Sequence, residues 1–328
     1  MAPRRSSAAW RCSRSSRPDA AMKARAAGLL LGYAADRMLG DPAHRHPVAG
    51  FGHVARAVEE SVYGDSRARG VLHAAVLVGG AGVLGVVAEK AARTPIARSA
   101  VTAVVTWAVL GGRTLEREAS AVHVLLAAGD LPGARVQVKR LVGRDTERLD
   151  ESEVARAVVE SVAENSSDAV VAPLVWGALL GPAGLLGYRA ANTLDAMVGH
   201  HNMRYENFGW ASARLDDLVN LPGARLAGLL TVALGGNPRR AITDWRRDAA
   251  AHPSPNAGVV ESTFAGSLGI RLGGTNTYDG DRVEHRAVMG DGRAVEPRDI
   301  ATAVRLGARV GAGAALVAAA VAVLRRSR

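Results

Sequence analysis

The chain has 328 residues, of which 48% are apolar, 22% charged and only 4% aromatic. That is enough apolar material for a buried core, which excludes a disordered or collagen-like chain, and the single cysteine, Cys12, excludes a disulfide scaffold and any CxxC metal or redox site. The formal charge of +10 suggests anionic partners, yet only three of the 41 basic residues are lysines and the arginines are spread along the whole chain. With no arginines sorted onto a reading helix and few aromatics for base stacking, nucleic acid is not expected as a partner.

Residues 1–25 read as a basic flexible tail with Met22 as a second candidate start, and residues 26–328 as one membrane-embedded domain. A short apolar run, Ala26 to Ala35, leads to a loop with Asp41, His44 and His46. Val71 to Ala88 is then 18 residues with one histidine and no formal charge. Ile96 to Gly112 is similar, broken only by Arg98. Near the end of the chain, Leu306 to Leu324 carries one early arginine and is followed by Arg325, Arg326 and Arg328. Each run approaches the roughly 20 residues that cross a hydrocarbon core of about 30 Å, and their small residues suit close helix contacts in lipid. The expected class is therefore all-α: a polytopic integral membrane protein with about four to five spans.

Between these runs, 150–168 reads DESEVARAVVESVAENSSD. Asp150 and Glu153 have capping-box spacing, so a helix is predicted to start there, with Val154, Val158 and Val162 on one face. Glu160, Glu164 and Asp168 form a row on the other side, four residues apart, with Asn165 beside it. Like charges at that spacing repel, so the row either faces solvent or holds a cation. Val170 to Tyr188 is uncharged but interrupted by Pro173, Gly181-Pro182 and Gly184, and is expected to form a broken or re-entrant element. Asn192 and Asp195 follow, then Asp216, Asp217 and Asn220, with Asp216 and Asn220 again able to share a helix face. Arg189, Arg204, Arg214 and Arg225 interleave with these acids. Surface ion pairs account for the same pattern, as does a Mg²⁺–phosphate cradle built from oxygen ligands and arginine forks. Leu226 to Gly236 is apolar but about half a bilayer long. His200 and His201 are adjacent and lack helical metal-ligand spacing. The segment 252–274 joins a proline-rich turn to an Ala/Gly-rich run whose glycines suit close packing or a nearby ligand. There is no GxxxxGK[ST] or GxGxxG phosphate motif. Eight Lys/Arg between 113 and 168 and nine Arg between 237 and 300 place those connections, and the acidic helices with them, on the cytoplasmic face.

At these residues the sequence resembles the cobalamin-biosynthesis CobD/CbiB family, adenosylcobinamide-phosphate synthase. The resemblance rests on GDPAHRHPV (40–48), GRDT (143–146), VESVAENSSDAVVAPLVW (159–176), the stretch 188–222 with NTLDAMVG and RLDDLVN, SPNAG (254–258), and LGG with Tyr278-Asp279-Gly280. LPGAR (221–225) departs slightly, where the family has a tighter IPAR. The resemblance implies a multi-pass enzyme of the cell membrane, its site facing the cytoplasm. It would join a propionate carboxylate of adenosylcobyric acid to (R)-1-aminopropan-2-ol or its O-phosphate, consuming ATP with Mg²⁺, alongside other late cobalamin-pathway membrane enzymes. Candidate catalytic residues are Glu160, Glu164, Asn165, Asp195 and Asp216. Candidate metal ligands are Glu160, Glu164, Asp168, Asp216, Asp217 and Asn220. Substrate and phosphate contacts are expected from Arg144, Arg189, Asn192, Arg204, Tyr205, Arg214 and Asn256. The alternatives are a membrane Mg²⁺-dependent prenyl- or phosphotransferase, and a non-enzymatic sensor on the same scaffold. A transporter would carry acids within its spans, which the three clearest runs lack.

Overall fold

The computed structural model describes residues 16–41, 47–200, 202–278 and 282–324. The segment with Cys12, the loop with His44 and His46, His201, and the Asp279-Gly280 pair lie outside the described residues. Helix α1 (Ser16–Leu39) takes in residues 16–25, expected to be flexible tail. Two short connections follow it, to α2 (Pro47–Val62) and to α3 (Arg67–Ala91). Next come α4 (Pro95–Val109), α5 (Gly112–Ala127) and α6 (Leu131–Val138). Gly28 and Gly32 of α1 lie against Thr102 and Thr106 of α4, and a Cβ on either would collide with a threonine side chain. The small residues of the first apolar run thus let two helices touch backbone to side chain.

The centre of the molecule is α7 (Glu151–Ser166), buried on nearly every side. It starts on the expected capping box: Asp150 accepts from Glu153 N–H, and the Glu153 carboxylate accepts from Asp150 N–H. A π-helical turn, Ser167–Val171, carries α7 into α8 (Ala172–Leu180). Its cause is visible in the sequence. Pro173 has no N–H for the Ala169 carbonyl, and its ring would clash with that oxygen in a regular helix. The widened turn frees the carbonyl, which accepts from Gly111 N–H instead (3.3 Å). At Gly181, with φ +64°, the chain reverses into α9 (Pro182–Val198). The expected broken element is thus a helical hairpin, α8 against α9, that brings Asp168 and Asp195 back to one end of the bundle.

Helix α10 (Trp210–Leu234) corrects one expectation. Leu226–Gly236 is not an isolated half-span but the end of a 25-residue helix that begins before Asp216 and runs through Pro222. The acids near its start hide the continuity of the apolar run, and they lie inside a candidate span rather than in a connection. Among the described residues, four helical stretches are long and apolar enough to cross a membrane: α3, Pro95–Ala127, α10 and α13 (Pro297–Leu324). On α3, the outward Val71, Leu72, Val76, Val83, Leu84 and Val87 are 48–63% exposed, the apolar girdle of a multi-pass membrane protein.

Between α10 and α13 lie α11 (Pro238–Asp248), α12 (Ala257–Leu268) and an antiparallel hairpin, β1 (Leu272–Tyr278) with β2 (Arg282–Met289). Among the described residues, that hairpin is the one element outside the expected all-α class. A bulge between Leu272 and Gly274 breaks its register where it meets α7.

Candidate functional site

The row on α7 divides into three environments. Glu160 is buried and committed. Its carboxylate accepts from Arg144 Nη2 (2.8 Å) and from Gly273 N–H (2.8 Å), with Arg156 Nη1 at 3.8 Å. It fastens the 143–146 loop and β1 onto α7, and does not stand open to a cation. Glu164, one turn on, lies deep among protein atoms yet remains open to solvent. Burial raises its carboxyl above the ordinary value; Arg286 opposes the rise, and Glu160 and Asp195 add to it. Asp168 sits in the π turn, where burial, then Glu164 and Asp216, hold its carboxyl well above the usual range. A widened turn re-aims side chains that an unbroken helix would keep in strict register.

Helices α9 and α10 complete this end of the bundle. Asp216 accepts from Asn192 Nδ2 (3.3 Å) and from Asn220 Nδ2 (2.9 Å). The Tyr188 hydroxyl lies 2.6 Å from Asn220 Oδ1 and 2.9 Å from the Asp168 carbonyl oxygen, linking α9, α10 and the π turn. Asp195 is close enough to repel both Asp216 and Asp168. Arg189 lies within the field of Asp41 and Asp168, its Nη1 is 3.4 Å from Asn192 Oδ1, and its Nε is buried without a hydrogen-bond partner. The irregular backbone here is also satisfied from outside. Pro222 removes a donor from the α10 ladder, and the nearby carbonyls of Asp217 and Val219 accept from Asn256 Nδ2 and Trp176 Nε1, each at 2.8 Å.

The structure thus brings Glu164, Asp168, Arg189, Asn192, Asp195, Asp216 and Asn220 together, and places the other candidates elsewhere. Asn165 turns back to the Ser161 carbonyl and hydroxyl. Asp217 is half-exposed, 3.9 Å from the exposed Arg214. Asn256 takes a hydrogen bond from Arg225 Nη1 (2.7 Å), so it is a bracket between α12 and α10. Arg204 and Tyr205 both donate to the buried Glu59 of α2, each at 3.0 Å, and the Arg204 guanidinium stacks over Tyr63. They hold the 200–209 connection to α2, away from the carboxylates.

A family model described as CobD/Cbib protein matches residues 29–307. The chain belongs to the CobD/Cbib family. It is similar to "Cobalamin biosynthesis protein CobD" of Mycobacterium tuberculosis, 46% identical over 308 residues that make up 92% of this chain and 97% of the relative. A protein of the same name from Rhodobacter capsulatus is 43% identical over 284 residues, 85% of this chain and 90% of the relative. That of Chromobacterium violaceum is 43% identical over 280 residues, 83% and 88% of the two chains. No solved structure matches.

Glu261, a buried charged residue beside the site of this CobD/Cbib member, is absent from the sequence-based candidates, as are Arg156 and Arg286. Glu261 of α12 is 1% exposed, and its charge faces Glu160, Glu164, Arg286 and Arg144. The signal was present: a lone carboxylate in the apolar and small run AGVVESTFAGS. Among the described residues, no group of three or more His, Cys, Asp or Glu side chains is gathered for a metal ion. Asp168 and Asp216 with neighbouring amides instead suit Mg²⁺ held by one or two carboxylates, its other positions left to phosphate and water.

Proposed function

We propose that this CobD/Cbib family member acts in cobalamin biosynthesis as an adenosylcobinamide-phosphate synthase, an amide-forming ligase in the cell membrane with its site facing the cytoplasm. Its substrates would be adenosylcobyric acid, (R)-1-aminopropan-2-ol or its O-phosphate, and ATP with Mg²⁺. The reading is carried by Arg189, a partly buried arginine whose Nε–H is enclosed without a hydrogen-bond partner and which lies within the field of Asp168. A buried orphan donor next to oxygen ligands matches a phosphate oxygen that arrives with substrate.

A carboxylate is a poor acyl donor at neutral pH. Transfer of the terminal phosphoryl group of ATP to the corrin propionate gives an acyl phosphate and ADP; attack by the neutral amine then gives the amide and inorganic phosphate. Magnesium bound with the nucleotide supplies charge neutralisation for the transferring group. Asp168 and Asp216 would hold that ion, with Asn192 and Asn220 fixing the Asp216 rotamer. Arg189 grips phosphate oxygens, and Asp195 accepts the proton that the amine loses. The surrounding helices keep water from the acyl phosphate.

The test is product formation. In a bacterium lacking its own synthase and supplied with cobyric acid, the wild-type chain is expected to give cobinamide or cobalamin detectable by mass spectrometry. Asp216→Asn and Arg189→Met are expected to lose it while still inserting in the membrane. Wild-type protein that inserts normally with amine available, yet makes no product, overturns the reading.

A further inference from the structure

Arg225 stands within α10, one of the candidate spans, and among the described residues no carboxylate is paired with it. Its one hydrogen bond runs from Nη1 to the neutral side chain of Asn256 (2.7 Å). A cation in a membrane-spanning helix is costly unless an anion or water meets it. Arg225 lines a recess of about 710 Å³ between α10 and α11, together with Leu229, Ile242, Trp245, Arg246 and Val259. We infer that this recess seats one anionic phospholipid, its phosphate between Arg225 and Arg246 and a chain along Leu229 and Ile242. The inference is independent of the proposed amide synthesis.

The course of α11 builds the seat. Asn237 caps the helix by accepting from Arg240 N–H (3.1 Å), and α11 then runs back along α10. Trp245 packs on Gly228 of α10, where a Cβ would come within 3.3 Å of the indole. This return brings Arg246 to the same recess as Arg225. The four arginines of α11 divide by face. Arg240 and Arg247 are engaged by Asp244, Asp248 and Asp291. Arg239 and Arg246 have no acid partner among the described residues. With Ile242 they stand at i, i+3 and i+7, an exposed stripe both basic and apolar. Such a stripe is what an interfacial helix offers to anionic headgroups.

Size and chemistry narrow the occupant. At about 30 Å³ per water-sized group, the recess holds about two dozen such groups, a phosphoglycerol headgroup with the first carbons of its chains. Two guanidinium groups suit one phosphodiester through charge-assisted hydrogen bonds. Leu229 is 58% exposed and continues the apolar surface of the span, so a chain leaving the recess stays in hydrocarbon. Trp245, half-buried at the same wall, is a residue type that favours the lipid–water boundary. A soluble nucleotide fits less well, because its Mg²⁺ calls for oxygen ligands and no carboxylate lines the recess. Arg225 also holds Asn256, which donates to the Asp217 carbonyl, so a seated headgroup braces the break in α10.

Native mass spectrometry of the full chain in detergent, titrated with phosphatidylglycerol, phosphatidylcholine or ATP, tests the seat. Wild type is expected to bind one phosphatidylglycerol at least about tenfold more tightly than phosphatidylcholine. Arg246→Gln changes an exposed side chain, and Ala250→Glu adds a carboxylate to an exposed part of the lining while keeping both arginines. Each is expected to weaken phosphatidylglycerol at least about tenfold. Arg239→Gln makes the same change in net charge as Arg246→Gln but outside the recess, and is expected to stay within about twofold of wild type. Equal binding of the two lipids by wild type, or equal weakening by Arg246→Gln and Arg239→Gln, would mean diffuse attraction to the surface and overturns the seat. Unchanged phosphatidylglycerol binding in both recess variants overturns it as well. If those two variants instead lose ATP binding and keep phosphatidylglycerol, the recess belongs to a soluble phosphate ligand and the lipid seat falls.

Discussion

Glu160 and Asp168 share one helix, eight residues apart, and the physics around them is opposite. Glu160 is paired by two arginines and a backbone N–H, so removing its charge leaves Arg144 buried beside a neutral group. Glu160→Gln is expected to destabilise the fold by about 3 kcal/mol, read as a lowered thermal midpoint in detergent. Asp168 is held in protonated form to higher pH than in the unfolded chain, by burial and by Glu164 and Asp216. Its proton contributes stability that is fully present below the ordinary carboxylate range, near pH 4, and is lost as pH rises through the raised folded value. Asp168→Asn is therefore expected to raise the thermal midpoint at neutral pH, with the gain shrinking toward pH 4, while synthesis is lost. A midpoint that stays level or falls at neutral pH would contradict this account. The Asp150 cap is a local matter, and Asp150→Ala is expected to cost about 1 kcal/mol by the same measurement. Local features of this kind were legible in the sequence: the capping box, the valine face, the acidic row. The partner of a charge was not. Nothing near Arg204 and Tyr205 signals that Glu59, far back in the chain, takes both.

At the scale of elements, what could be read depended on whether the cause lay within the segment. Pro173 and Gly181 are in the sequence, and the break they predict is the π turn and the tight reversal between α8 and α9. The helix through Pro222 was obscured because the carbonyls flanking the break, those of Asp217 and Val219, are served by Asn256 and Trp176, which sequence spacing does not bring near. The β1–β2 hairpin carries no hydrophobic alternation of its own and is fixed to α7 by the Glu160 carboxylate at Gly273. The α8–α9 hairpin in turn is positioned by α3. A Cβ on Gly85 would strike the Ala183 backbone, which cannot rotate away. Gly85→Val is expected to cost about 1–3 kcal/mol by overpacking and to lower synthesis by shifting α9 with Asp195 and Asn192. Gly79→Val on the same helix, where a Cβ meets nothing within 4 Å, serves as the neutral comparison.

Over the whole molecule, charged groups separate to two ends of an apolar bundle. One end holds Asp168, Asp195 and Asp216, and near it the start of α3, where Gly70 packs on the Phe208 carbonyl. The other end holds the Arg25–Glu89 pair (2.9 Å), with Arg25 against Gly181 at the tip of the α8–α9 hairpin. Helix α3 connects the two ends with 25 residues, about 37 Å at 1.5 Å per residue, more than a hydrocarbon core needs. Since the hairpin leaves and returns at the same end, 170–188 does not change sides, and substrates delivered from one aqueous face reach every carboxylate of the site. This arrangement predicts a labelling pattern. With Cys12 replaced by serine, single cysteines at Asn165 and at Met203, which is 98% exposed, are expected to react with a membrane-impermeant maleimide from the same face. A cysteine at Arg93, in the exposed turn between α3 and α4, is expected to react from the opposite face. Labelling of 165 and 203 from opposite faces would mean that the hairpin crosses the membrane, and the carboxylates of α7 and α9 could then not share one substrate pool.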